Sequence, residues 1–221
     1  MLMTPLSTAA PIELLYVDDT MLVVDKPGGL LAVPGRGADK QDCLSARVQA
    51  RYPDALIVHR LDMSTSGLMV MARGATMQRA LSMAFAAREV SKRYIAVVAG
   101  RPDAPAESWG AIDLPIMLDW PNRPLRIIDH TFGKPSLTRW RVLEHDENGL
   151  CTRVELEPVT GRSHQLRLHL RELGYPILGD ALYAPPAIQA MASRLMLHAE
   201  SLAFVHPATG KELAFGCPPP F

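Results

Sequence analysis

The residues best suited to chemistry stand at His59-Arg60-Leu61-Asp62, where a strand-like apolar run over 55 to 59 gives way to a turn through Met63-Ser64-Thr65-Ser66-Gly67. An imidazole, a guanidinium and a carboxylate meet within four positions, which points to Asp62 as a catalytic carboxylate. Aspartate also caps turns through its short side chain, and for Asp62 taken alone that second role stays open. The other dense stretch is Thr160-Gly161-Arg162-Ser163-His164-Gln165-Leu166-Arg167. Leu166, Leu170 and Leu173 mark one face of a helix over about 164 to 173, with Ser163 placed to cap it and Gly174 to stop it. His164, Arg167 and Arg171 then share the opposite, cationic face. A helix start adds free N–H groups and positive dipole character, which favour phosphate. A solvated basic face is the alternative.

Other chemistries find little support. The closest histidines, His164 and His169, are five apart, about 140° around a helix and on opposite faces of a strand, so they form no local chelate. His145, His198 and His206 read as structural or surface residues. Cys43, Cys151 and Cys217 are widely spaced and odd in number, which suggests neither a disulfide framework nor a zinc site. No nucleophile elbow, Walker loop or dinucleotide fingerprint is present, and Gly28-Gly29 and Gly35-Arg36-Gly37 serve turns. No metal or organic cofactor is expected.

Around these residues the apolar pattern predicts a hairpin over 12 to 25 turning at Asp18-Asp19-Thr20, and a short helix over 43 to 51 capped by Asp42. Strands over 55 to 59 and 68 to 72 flank the Asp62 turn. Met77, Leu81 and Phe85 place 75 to 88 on an amphipathic helix, and Met71, Met77 and Met83 read as core filling. A strand over 94 to 99 precedes a Pro-rich passage from 102 to 135 with little periodicity, a length usually reserved for functional or linking segments. Strands over 140 to 143 and 152 to 156, a short helix around 185 to 193, and strands over 195 to 205 and 212 to 215 complete the chain. This alternation predicts a mixed α+β domain around a largely antiparallel sheet.

The chain has 221 residues, 48% of them hydrophobic, enough for a substantial core. Twenty-three basic residues balance twenty-three acidic ones, so bulk charge does not make it a nucleic-acid binder. Basic residues nonetheless gather at 88 to 93, 123 to 141 and 162 to 171, and a neutral protein with a basic cleft can hold a polyanion. Scattered surface charge is the alternative. Residues 1 to 11 lack the basic and apolar regions of a leader, and no window reaches the roughly 18 apolar residues of a membrane span. A cytoplasmic protein without a membrane partner is expected.

Three linked motifs, His59-Arg60-Leu61-Asp62-x-x-Thr65-Ser66-Gly67, Lys92-Arg93-Tyr94 and Gly161-Arg162-Ser163-His164-Gln165-Leu166-Arg167, resemble those of the RluA-family pseudouridine synthases in order and spacing. Asp25-Lys26-Pro27-x-Gly29-Leu30, Gly174 through Asp180, and Leu195-Met196-Leu197-His198-Ala199 extend the likeness to about 12 to 221. The resemblance implies an α+β catalytic domain with a central cleft, which detaches uracil from C1′ of an RNA uridine, rotates it and rejoins it through C5. It further implies Asp62 as the essential carboxylate, Arg162 as its counterion, Tyr94 stacking on the base and handling the C5 proton, and Arg60 filling the space of the flipped uridine. Leu197 becomes pocket wall, and His59, His164, Gln165 and Arg167 become further substrate-binding positions. Val33-Pro34-Gly35-Arg36 and Asp119-Trp120-Pro121-Asn122-Arg123-Pro124 are similar to the subgroup acting on uridine 746 of 23S rRNA and uridine 32 of the tRNA anticodon loop. The expected partners are therefore rRNA and tRNA hairpin loops, met by a monomer. With 1 to 11 read as a tail and no S4-type domain before the first strand, RNA selection falls on the catalytic domain, and the passage from 102 to 135 is the candidate reader. Whether Asp62 attacks C1′, adds to C6 or takes the C2′ proton stays open. A non-catalytic RNA-loop binder and a glycoside or nucleoside hydrolase are the competing readings; the latter ordinarily uses two carboxylates.

Overall fold

A computed structural model describes residues 12 to 103 and 108 to 221; the tail expected over 1 to 11 lies outside them. Ten strands form one sheet: β1 (Glu13–Val17), β2 (Met21–Lys26), β3 (Ala55–Ile57), β4 (Ser66–Arg73), β5 (Ser91–Ala99), β6 (Gly110–Asp113), β9 (Leu137–His145), β10 (Cys151–Pro158), β11 (Leu197–Val205) and β12 (Glu212–Gly216). The main path runs β1-β2-β4-β11-β5-β10-β9-β6, with β3 added to β4 and β12 to β11. Among the described strands only the β4–β11 pair is parallel. A separate hairpin pairs β7 (Ile116–Leu118) with β8 (Arg126–Ile128). The helices are α1 (Leu44–Gln49), α2 (Ala75–Ala87), α3 (Gln165–Glu172) and the single turn α4 (Pro186–Gln189). The expected α+β class, with a mostly antiparallel sheet, is the class observed.

The two halves of the sheet differ in how they are covered, and sequence pattern decides which is which. On β2 and β4 successive residues point to opposite faces, yet those over 21 to 24 and 68 to 72 are all apolar. Met21, Val23, Leu68 and Val70 therefore pack with Met77 and Leu81 of α2, while Leu22, Val24, Met69 and Met71 pack with Leu44 and Val48 of α1 and with Leu61. On β10 apolar and polar residues alternate. Val154 and Leu156 meet Leu166 and Leu170 of α3, and Glu155 and Glu157 stay on the outer face with Arg93, Arg139 and Arg141. The cleft opens where these two halves meet.

Several local expectations change. Cys43, extended at φ −155° and ψ 166°, holds the cap position of α1 and its Sγ accepts from the Ala46 amide; Asp42 instead pairs with Arg47 at 2.6 and 2.7 Å. Met71 and Met77 are core, but Met83 is 63% exposed, because six residues from Met77 it lies about 240° around the helix. Helix α3 begins at Gln165, after His164, whose left-handed φ of 60° ends the preceding turn without a side-chain cap; Ser163 is thus not the cap. The Pro-rich passage contains β6, β7 and β8, strands too short to print a periodicity. Among the described residues no helix is long and apolar enough to cross a membrane.

Candidate active site

Asp62 stands in a cleft of about 1000 Å³ bounded by its own turn, by Tyr94 on β5, by 158 to 163 and by the start of α3. Six cations line that space, Arg60, Arg88, Lys92, Arg126, Arg162 and Arg167, against one carboxylate, Asp62. A formally neutral chain therefore presents a strongly positive concavity, of a volume suited to a flipped nucleotide rather than a polymer duplex.

The turn carrying Asp62 is held by buried bonds to the β2 end. The Lys26 ammonium, with no exposed surface, donates to the carbonyls of Pro27, Leu30 and Met63 at 2.8, 2.9 and 3.1 Å. Burial lowers its pKa to about 8, with the Asp62 charge opposing the fall. The Gly29 amide donates to the Met63 carbonyl and the Thr65 amide to that of Asp62. Just beyond, Gly67 (φ 113°) lies so close to β11 that a Cβ would sit 2.3 Å from the Ala199 carbonyl oxygen. Only glycine lets the parallel pair close there, and this pairing fixes the turn against β11.

The carboxylate faces α3. Asp62 Oδ2 is 3.6 Å from Arg167 Nη1 and 3.9 Å from His164 Nε2. Arg167 is buried, and Asp180 takes its Nε and Nη2 at 2.8 and 2.6 Å. Burial works against the guanidinium's charge, but Asp180 and then Asp62 outweigh it and raise its pKa. Asp180 also accepts the amides of Leu182 and Tyr183, so one buried carboxylate sets both Arg167 and Tyr183. The Tyr183 hydroxyl accepts the Arg126 amide at 2.9 Å and lies 2.6 Å from His164 Nδ1. His164 thus meets Tyr183 through Nδ1 and faces Asp62 with Nε2. Burial lowers the His164 pKa against the pull of Asp62.

The arginine within 4 Å of the Asp62 carboxylate is Arg167. Arg162 lines the cleft, but its side chain is exposed and its amide donates to Gln165 Oε1; the guanidinium beside Asp62 belongs to Arg167. The left-handed His164 turns the chain between them, which directs Arg162 outward and Arg167 inward. Gln165 is not free for a base either. Its Oε1 accepts from the Thr160 hydroxyl and the Arg162 amide, and its Nε2 donates to the Leu137 carbonyl and to Thr138 Oγ1. All four hydrogen-bonding positions of the amide are filled, making Gln165 a buttress for the 160 to 164 loop.

The remaining positions reach the same cleft in different states. His59 stacks on Phe85, ring centroids 4.4 Å apart, and its Nε2 accepts the Val70 amide. Burial, then the nearby Lys92 charge, lowers its pKa to about 3. It is a neutral joint between the Asp62 turn and β4. Arg60 is exposed at the rim, and Leu197 is a core residue whose edge meets the cleft. Tyr94 joins two core clusters, and burial followed by the Asp62 charge raises its phenol pKa. Lys26, Asp180 and Tyr183 carry the site's support without having been singled out by spacing. The signal available was chemical: a lysine ending an apolar strand, and an acid and a tyrosine three apart after a glycine.

Away from the cleft, Asp25, His198 and Cys217 bring one ligand-type atom each within 4.8 Å of one another. Both His198 nitrogens are already engaged, Nδ1 with the Ser66 hydroxyl at 2.8 Å and Nε2 with the Cys217 carbonyl at 2.9 Å. Burial and Asp25 push the Cys217 thiol up to about 11, away from the thiolate a metal requires. The group is a hydrogen-bonded corner joining the C-terminal segment to β11.

Comparison with known proteins accounts for this frame. Residues 20–172 match the family model described as RNA pseudouridylate synthase, and the chain belongs to that family. It is an isomerase that converts uridine in RNA to pseudouridine. The chain is 49% identical over 208 residues to the dual-specificity RNA pseudouridine synthase RluA of Escherichia coli K12, covering 94% of this chain and 93% of that one. It is 48% identical over 203 residues to the corresponding protein of Yersinia pestis, 92% and 97% covered. Among solved structures, human RNA pseudouridylate synthase domain containing 1 superposes with a TM-score of 0.79 at 31% identity, over 99% of this chain and 87% of that one.

Proposed function

We propose that this enzyme isomerises one uridine in an rRNA hairpin loop and one in a tRNA anticodon loop, with Asp62 as the essential carboxylate. The observation that carries this reading is a single carboxylate beside a buried guanidinium, in a cleft whose other charged lining residues, among those described, are all cations. A polyanion is attracted to the rim, and an unpaired loop base reaches the cleft at little unstacking cost. The relatives named as dual-specificity RNA pseudouridine synthases support two RNA substrates.

The reaction breaks the C1′–N1 bond, forms C1′–C5, releases the C5 proton and returns a proton to N1, so nothing is gained or lost. Asp62 must be ionised in each of its three possible roles, and Arg167 supplies the opposing charge at 3.6 Å. Tyr94, whose phenol pKa is raised by burial and by Asp62, stacks on the base and handles the C5 proton. Arg60 at the rim takes the space of the flipped uridine, Leu197 closes the wall, and exposed Arg162 takes RNA phosphate.

Hydrolysis is the weaker alternative, since glycosidases divide the work between two carboxylates and only Asp62 lines this cleft. Carbodiimide-primer extension on RNA from a strain lacking the protein should lose one tRNA and one rRNA stop, and Asp62→Asn should restore neither. Restoration by that variant would refute the assignment of Asp62, and free uracil in place of pseudouridine would support hydrolysis.

A further inference from the structure

The β7–β8 hairpin displays an aromatic ring that is largely open to solvent. Trp120, in the connecting loop, is 64% exposed. The other tryptophans are committed: Trp140 is buried, and Trp109 lies beneath Arg93, Arg139 and Arg141. Arg123 places its guanidinium carbon 4.6 Å from the Trp120 ring centroid, covering one face and setting a cation beside it.

The loop is anchored rather than loose. Asp119 accepts the Asn122 amide and side-chain nitrogen, the Asp119 amide donates to the Leu125 carbonyl, and the Leu125 amide to that of Asn122. Below it, Leu125 and Ile128 pack with Ile116, Leu168 of α3 and Tyr183. The next residue after Arg123, Pro124, lines the Asp62 cleft, as does Arg126. The hairpin's other exposed aromatic, Phe132 at 77% exposure, lies beyond β8 at the opposite end of the ladder.

From this placement we infer that the Trp120–Arg123 pair is a stacking platform for an unpaired base of the substrate loop, other than the target uridine. The inference rests on the RNA-modifying reading above. The ring receives a base on its free face while Arg123 meets the adjoining phosphate. Stacking tolerates any base, so the platform selects an open loop over a duplex and places the loop, leaving bond-making to the cleft.

The test uses a synthetic anticodon hairpin RNA, its affinity read by fluorescence anisotropy and its isomerisation by steady-state kinetics. Trp120→Ala should weaken binding about 5- to 150-fold, the range for one lost stack, and raise KM with kcat at saturating RNA retained. Trp120→Phe should keep most of the affinity, and Phe132→Ala should match wild type. One abasic substitution in the loop, away from the target, should weaken wild type but add nothing to Trp120→Ala. Wild-type affinity in Trp120→Ala, an equal loss in Phe132→Ala, additivity at every abasic position, or no binding of this hairpin by wild type would each overturn the inference. Trp120-dependent binding without any pseudouridine would instead fail the functional reading and leave the platform standing.

Discussion

Arg167 reaches Asp62 with one nitrogen, at 3.6 Å, because Asp180 occupies the other edge of its guanidinium at 2.6 and 2.8 Å. The Asp180 pair is bidentate and buried, so it fixes the plane of the guanidinium, and the looser contact leaves Asp62 attracted but not locked. An ionised carboxylate that must still approach a ribose or a base is suited by that asymmetry.

Arg167→Lys should therefore be far from conservative. An ammonium is a point charge and cannot serve both carboxylates in these positions. We expect kcat to fall about 100-fold, the scale for a misplaced reactive group, with little change in KM, measured by tritium release from C5-labelled uridine in RNA. Retained kcat would mean that charge alone is sufficient beside Asp62.

Tyr183→Phe should remove the hydroxyl shared by the Arg126 amide and His164 Nδ1. Stability should drop by about 1 to 3 kcal/mol, the cost of stranding buried polar groups, as read by urea denaturation. Hydrogen exchange at the Arg126 amide should quicken at the same time.

Lys26→Met should leave the carbonyls of Pro27, Leu30 and Met63 without their shared donor. The variant should lose stability, and its kcat should fall because the Met63 anchor adjoins Asp62. A melting curve and a single-turnover rate separate the two effects; an unchanged rate would show that the Gly29 bond alone positions the turn.

His59 makes stability depend on pH. Its folded pKa of about 3 lies below the usual histidine value, about 6.5, so between these limits the unfolded chain binds the extra proton. Stability from this source is complete above that upper value and is lost as pH falls toward 3, with a slope of at most about 1.4 kcal/mol per pH unit. His164, His169 and His198 are shifted in the same direction, so the difference between wild type and His59→Gln isolates the effect. Wild-type stability should fall more steeply on acidification, by denaturation at stepped pH; parallel curves would contradict it.

The strands around Asp62 and the helix over 75 to 87 were legible because each buries a continuous face and repeats its apolar residues accordingly. Short elements were not: β6, β7 and β8 have three or four residues each, too few to show a period against proline-rich surroundings. Capping was misread at both Asp42 and Ser163, since the cap position depends on which residue takes the non-helical backbone, and Cys43 and His164 take it.

The motifs and their order, by themselves, determined the residue types of the site, the family they resemble and the sheet-rich class, because chemistry and periodicity are local properties of a chain. Which guanidinium faces Asp62 was decided only by the tertiary structure. Arg162 and Arg167 are five residues apart on the same motif, and the backbone turn at His164 together with the distant Asp180 sends one to solvent and the other inward. Lys26, Asp180 and Tyr183 likewise acquire their roles from partners far along the chain, through contacts that no spacing encodes.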